Sequence, residues 1–318
     1  MQAGEVMTER RFLITGGLGF IGAWTLYHLA RQGERAVCFD VGANSGRLDM
    51  LLPKDQQSSI QFVQGDITSK AQVDAALENV THIIHLGALQ VPSCKANPIL
   101  GSAVNVTGTI NLFEAARERG IQHIAYASSI AVYGRADEYP YELLPDDAPR
   151  IPHTLYGAYK ICNEETARVY FEDHGITSTG LRPFTVYGVG RDQGLTSEPT
   201  KAMLAAAKGE HYSIPFGGKM QFQWGSDVAR QFIQAALQPL DGAFVFNFNT
   251  VPVEVAEVAD IIMRIVPEIR IDVATNKLPF PTGFTGDGIV RHFSEVFETP
   301  LEEGIRQTIA HFRTASAV

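Results

Sequence analysis

RFLITGGLGFIGAW, Arg11 to Trp24, decides the fold. Its first five residues are β-rich and apolar, and glycines then crowd the point where a strand pattern becomes a helical one. Gly17, Gly19 and Gly22 satisfy G-x-G-x-x-G, while Gly16, Gly19 and Gly22 satisfy G-x-x-G-x-x-G. Such a turn lets a pyrophosphate approach backbone N–H groups at the positive end of a helix. Alone it could serve only close packing, but its context says more. The second strand pattern, RAVCFD (35–40), ends on Asp40. An acid about 20 residues past the glycines is placed to bind the ribose hydroxyls of an adenosine. Dinucleotide binding is therefore expected, with Gly16, Gly19, Phe20, Ile21, Gly22 and Asp40 in contact. Asp40 would repel a 2′-phosphate, and Val41 to Asn44 bring no cation; Arg47 is the nearest. The expected cofactor is NAD rather than NADP. By the same topology Asp66 and Ile67 would lie near the adenine, their plainer reading being a turn acid and a core aliphatic.

Further along, IQFVQGD (60–66), THIIHLG (81–87), HIAYAS (123–128) and TSTGLRPFTV (177–186) continue the strand patterns. Helix-length segments at 19–32, 69–79, 101–119 and 156–173 lie between them, with apolar residues three and four apart. Short strands that are apolar on both faces and alternate with helices belong to a doubly wound parallel sheet, so the fold class is α/β of the Rossmann kind. Residues 1–10 read as a loose leader and 11–186 as the NAD-binding domain, with 226–250 returning to it. Gly- and Pro-spaced pieces in 187–225 and 251–318 read as a smaller, irregular substrate lobe.

Composition narrows the function. The chain has 318 residues, 45% hydrophobic and 19% charged, and a formal charge of −9. Without a basic block, broad affinity for nucleic acid is excluded. Cys38, Cys94 and Cys162 are too scattered for a disulfide framework or a zinc pair, which suits a reduced, cytoplasmic protein. His82 and His85, three apart on a strand, would point to opposite faces, so no metal site is expected. No apolar run is long enough to cross a membrane.

YASSIAVYG (126–134) ends a strand in two serines, and YGAYK (156–160) follows downstream. Alternation along a strand lets only one of Ser128 and Ser129 face a given side. Tyr156 and Lys160, four apart, share a helix face. An ammonium beside a phenol stabilises phenolate and lowers its pKa, making Tyr156 a general base towards an alcohol or an acid towards a ketone. Y-x-x-x-K is common in ordinary helices, so the combination with the serines and the glycine turn carries the argument.

TGGLGFIG, Asp40, HLGA (85–88), NVTGT (105–109), YASSIAVYG, YGAYK and LRPFTVYG (181–188) resemble, in that order, the motifs of extended short-chain dehydrogenase/reductases, the NAD-dependent epimerase/dehydratase family. The resemblance is strong over 11 to about 190 and fainter in SDVARQFI and PLEEGIRQTIAHFR. It implies that Ser129 is the catalytic hydroxyl, Tyr156 the base or acid, and Lys160 a ligand of the nicotinamide ribose. It further implies that Asn105 steadies the site, that Ser128 satisfies backbone groups, that Leu86, Gly87 and Ala88 line the dinucleotide, and that Pro183 and Phe184 meet the nicotinamide. A homodimer through the helices near 101–119 and 154–173 is implied too.

Departures from the family pattern shape the expected chemistry. Ile130-Ala131 stands where 4,6-dehydratases carry an Asp-Glu pair; the decarboxylase Glu and the epimerase-reductase Cys are also missing. Thr185 replaces an Asn, Met220 stands near an expected Arg, and FPTGFTGDG lacks a cation, which weakens a nucleotide-diphosphate grip; Lys219 or Arg191 could compensate. The expected function is NAD-dependent hydride transfer at a secondary alcohol of a sugar or sugar-derived substrate. The alternatives are a nucleotide-sugar 4-epimerase with retained NAD and, in another class, a non-catalytic dinucleotide-binding protein. Tyr187, His211, Tyr212, Phe216, Phe222 and Trp224 could enclose a compact substrate or fill the core.

Overall fold

A computed structural model describes residues 9–316. The leader's first eight residues lie outside them, and its last two are tied down by the pairs Arg10–Glu34 and Glu9–Arg35. The strands are β1 (Arg11–Thr15), β2 (Arg35–Asp40), β3 (Ile60–Gln64), β4 (His82–His85), β5 (His123–Ala127), β6 (Leu143–Leu144), β7 (Thr177–Arg182), β8 (Thr185–Tyr187), β9 (Tyr212–Ile214), β10 (Lys219–Trp224), β11 (Ala243–Asn247), β12 (Pro252–Glu254), β13 (Ile271–Val273) and β14 (Gly283–Phe284). Seven of them form a parallel sheet in the order β3-β2-β1-β4-β5-β7-β11. The order reverses between β1 and β4, which opens a crevice at their carboxyl ends.

Helices α1 (Phe20–Arg31), α2 (Gly46–Leu51), α3 (Lys70–Ala76), α4 (Val91–Ala96), α5 (Pro98–Ser102), α6 (Gly108–Glu118), α7 (Leu155–His174), α8 (Glu198–Ala207), α9 (Gly225–Leu237), α10 (Val255–Ile265), α11 (Asp287–His292) and α12 (Leu301–Ser316) cover the strands. Alternation along β1 sends Phe12 and Ile14 to one face with Leu26, Leu29 and Phe232, and Leu13 to the other with Phe113, Tyr126 and Ala167. Both faces of the sheet are thus buried. Beside them, β8, β10 and β12 make a three-stranded sheet, and β9–β13 and β6–β14 make two small ones.

Two sequence expectations need correction. The strand expected over 177–186 breaks at Pro183, which has no N–H to donate. β7 stays in the large sheet, whereas β8 pairs with β10 in the small one, Thr185 opposite Phe222. The helix expected over 101–119 is interrupted by a π-helical turn, Ala103–Thr107. That extra residue rotates the register, so Leu112, Phe113 and Ala116 are buried while Ile110 is exposed.

One buried histidine, His85, and two half-buried ones, His28 and His123, make stability depend on pH. Burial lowers the pKa of His28 and His123 to about 4 and that of His85 to about 3. The unfolded chain therefore binds more protons than the folded one below about pH 6.5, the ordinary histidine value. Their contribution is complete above that pH and is lost as the pH falls towards 4. Urea unfolding at pH 5.0 should show a lower midpoint than at pH 7.5, by on the order of 1–2 kcal/mol per histidine. Equal midpoints would contradict the buried neutral state.

Candidate active site

A cavity of about 490 Å³ opens at the crevice between β1 and β4. Gly16, Gly19, Phe20, Ile21, Gly22, Asp40, Asp66, Ile67, Leu86, Gly87, Ala88, Ser129, Tyr156, Lys160, Pro183 and Phe184 all line it. Gly16 has φ +66°, and a Cβ there would lie 2.7 Å from the Cα of Gly87, so the two turns touch only because residue 16 is glycine. Gly17 instead packs behind the turn, against Cys38 and Ile14. The cavity therefore uses the register of Gly16, Gly19 and Gly22.

The residues fit a dinucleotide. α1 begins at the cavity with no side-chain cap and no acid in its first turn, leaving N–H donors for an anion. Asp40 is held by N–H donation from Leu18 at 3.0 Å and Gly42 at 2.9 Å, with further acceptor capacity for ribose hydroxyls. Arg47 is engaged elsewhere: it donates to Asp192 at 2.8 Å and to the Leu18 carbonyl at 3.1 Å.

Thr154 caps α7 by accepting from Gly157 N–H at 3.0 Å. A Cβ on Gly157 would sit 2.0 Å from the Ala131 carbonyl oxygen, so this glycine lets the helix start press against the turn after β5. That contact brings Tyr156 to the side of Ser129, whose hydroxyl favours the phenolate. Ser129 is half-buried and faces the cavity. Ser128, on the other face, donates to Glu164, which corrects the expectation that it serves backbone groups.

The electrostatics differ from the expectation as well. Burial pushes the Tyr156 phenol above its ordinary value, against the Ser129 hydrogen bond and the Arg191 charge that pull it down. Lys160 lies 5.7 Å from the centroid of the Tyr156 ring and donates to the Ala127 carbonyl at 2.6 Å. Its own pKa is lowered to about 8 by burial, which Glu164 opposes. Asn105 does not line the cavity. It is fully buried in the π-helical turn and clasps the backbone of Leu89, accepting from N–H at 2.7 Å and donating to the carbonyl at 2.9 Å. Its side chain thus holds the turn after β4 rather than facing the cavity.

Several participants escaped the sequence reading. Glu164, one turn beyond Lys160, accepts from Arg182 at 2.8 Å through each oxygen and from Arg150 at 3.0 Å. Its i+4 spacing from Lys160 was the available signal. From the small lobe the cavity takes Arg191, Leu195, Thr196 and Phe280 and none of the six aromatics considered. Tyr187, Phe216 and Phe222 are core, while Tyr212 donates to Glu198 and His211 accepts from Arg270 N–H. Thr185 donates to the sulfur of Met220, both buried, and neither reaches the cavity. Lys219 pairs with Glu142 at 3.5 Å.

A glycine turn, the acid Asp40 and a Ser-Tyr-Lys set around one cavity fit a nicotinamide-dependent oxidoreductase. The chain belongs to the NAD dependent epimerase/dehydratase family, which it matches over residues 12–247, and it is an NAD-dependent enzyme of the extended short-chain dehydrogenase/reductase type. It is 30% identical to UDP-glucuronate 4-epimerase 2 of Arabidopsis thaliana over 341 residues, 93% of this chain and 74% of that protein. The UDP-glucose 4-epimerase of Thermus thermophilus, solved with NAD, superposes with TM-score 0.82 at 25% identity over 96% of this chain and 99% of its own. L-threonine dehydrogenase of Clostridium difficile gives TM-score 0.85 at 22% identity over 96% and 98%, a likeness of fold.

Proposed function

We propose that the protein catalyses reversible, NAD-dependent hydride transfer at a secondary alcohol of a sugar-derived molecule that carries an acidic group. The convergence of Ser129, Tyr156 and Lys160 on one cavity shaped for a dinucleotide carries this reading. Ser129 holds the reacting oxygen, and Tyr156 removes its proton in oxidation and returns it in reduction. Lys160 orients the ribose, and Pro183 and Phe184 set the nicotinamide face. NAD, when bound, supplies the hydride acceptor.

Arg191 supports the charge of the substrate. It lines the cavity over the ring of Phe20, its Nε is buried with no partner, and burial lowers its pKa to about 10. The neighbouring acid, Asp192, is taken by Arg47. A carboxylate or phosphate on the substrate would give the guanidinium a charge-assisted partner. Thr185 and Met220, turned towards each other, count against a nucleotide-diphosphate grip. One observation favours the 4-epimerase reading: the loop carrying Arg191 is fastened across the cavity by Arg47–Asp192 and by Trp24 donating to Val189 at 3.1 Å, as retained NAD would require. NADH formation should be screened across sugars, sugar acids, polyols and sugar nucleotides, with net NADH expected from sugar acids. Arg191→Met should raise KM for the acid roughly 10–100-fold with a smaller change in kcat. Unchanged KM would remove the charge assignment, and interconversion of sugar nucleotides without net NADH would favour the epimerase.

We further propose that 11–186 with 226–250 forms the NAD domain and that 187–225 and 251–318 form the substrate lobe. α5, α6 and α7 expose Ile99, Leu100, Ile110, Leu155 and Val169, a face we assign to a homodimer. Sedimentation equilibrium at the single-chain mass of 34.8 kDa would overturn that. Among the described residues no helix is long and apolar enough to cross a membrane, and the three free cysteines accord with a cytoplasmic location.

A further inference from the structure

His85, the last residue of β4, takes no part in the chemistry above. It is buried between the glycine turn and the helix that carries Asn105. Its Nδ1 is 2.6 Å from Thr15 Oγ1, and its Nε2 is 3.0 Å from Thr109 Oγ1. The partners decide where each proton lies. Thr109 donates its hydroxyl proton to the Asn105 carbonyl at 2.7 Å, so towards His85 it accepts, and Nε2 carries the ring hydrogen. Nδ1 is then a lone pair and accepts from the Thr15 hydroxyl. With its proton so placed, Thr15 Oγ1 accepts from the N–H groups of Leu86 at 3.2 Å and Gly87 at 3.1 Å.

A single directed chain of hydrogen bonds thus runs from the turn after β4 through Thr15, His85 and Thr109 to Asn105, whose side chain clasps Leu89 of the same turn. Thr15, Leu86, Gly87 and Leu89 all line the cavity. The chain closes across the place where Gly16 and Gly87 touch, so a small shift in one turn is felt by the other.

We propose that His85, as a neutral imidazole with its proton on Nε2, is a positioning residue of the NAD site that sets the spacing between the glycine turn and the turn after β4. The proposal rests on NAD occupying this cavity. A ring proton on Nδ1 would compete with the Leu86 and Gly87 N–H groups for the two lone pairs of Thr15 Oγ1. Burial, aided by the charge of Lys160, keeps that proton away at neutral pH.

NAD titration of the full-length protein tests this, with urea unfolding alongside. His85→Phe and Thr15→Ala should each raise the NAD Kd at least about tenfold, the loss of one directed hydrogen bond at the cavity wall. The double variant should be no weaker than the weaker single, because both break one chain. His85→Asn, which keeps an acceptor near the Nδ1 position, and Thr15→Ser, which keeps the hydroxyl, should recover most of the affinity. A filler role would make affinity follow side-chain volume and the two single effects multiply; either result, or a His85→Phe Kd within about threefold of wild type, overturns the proposal. Should His85→Phe fail to fold, the Thr15 pair decides alone, equal Kd for Ala and Ser being the overturning result. Absence of NAD binding by the wild-type protein would instead remove the cofactor from the cavity and the proposal with it.

Discussion

Tyr156→Phe is expected to slow turnover by about 10²–10⁴-fold while leaving NAD affinity within about threefold. The substitution removes one oxygen and leaves the ring where it is, so the wall of the cavity survives. What disappears is the phenol proposed to exchange a proton with the substrate hydroxyl, beside Ser129 in the cavity wall. The phenol starts from an unfavourable position, raised by burial, and Ser129 and Arg191 are the groups that pull it back down. The pH profile of the wild type should rise on the alkaline side in the oxidative direction, because phenolate is the active form. Retained turnover in Tyr156→Phe would take the proton-transfer role away from this residue.

Glu164→Gln should destabilise the fold by about 3–5 kcal/mol, the range for removing one member of a buried ion pair. Arg182 is almost fully buried, and its guanidinium meets Glu164 through two nitrogens while Nη1 donates to Tyr133 at 2.6 Å and to the Asp146 carbonyl at 2.8 Å. Glu164 stays ionised despite burial because these donors outweigh the desolvation that would raise its pKa. Neutralising it leaves a guanidinium in the interior without its counter-charge. Adding Arg182→Met to Glu164→Gln should cost less than the sum of the two single changes, since the stranded charge goes with it. Denaturant unfolding measures both; a loss below about 1 kcal/mol for Glu164→Gln would mean the pair is not the interior brace described here.

What could be read from the sequence was local. The glycine turn, Asp40 and the pair Tyr156–Lys160 each declare themselves within one element, through spacing on a single strand or helix. Ser129 needed alternation along one strand; of the two serines, Ser128 has its hydroxyl taken by Glu164. Glu164 was harder, because its partners Arg150, Arg182 and Ser128 come from three other segments and only the fold makes them neighbours. His85 was weighed as a metal ligand, but its threonine partners lie 70 and 24 residues away. The aromatics of the small lobe could not be sorted by composition, since core and cavity use the same residue types. Pro183 did carry a readable warning against a continuous strand. The π-helical turn at Asn105 had no comparable signal, and the Leu89 backbone that its side chain meets lies 16 residues away.

The break at Pro183 and Phe184 has a mechanical side. These two residues are the joint between a strand of the large sheet and a strand of the small lobe, and they also face the cavity. A shift of the small sheet along this connection would therefore reach the cavity wall without an intervening loop. Grip on a distant part of a substrate has there a short route to the alignment of donor and acceptor carbons.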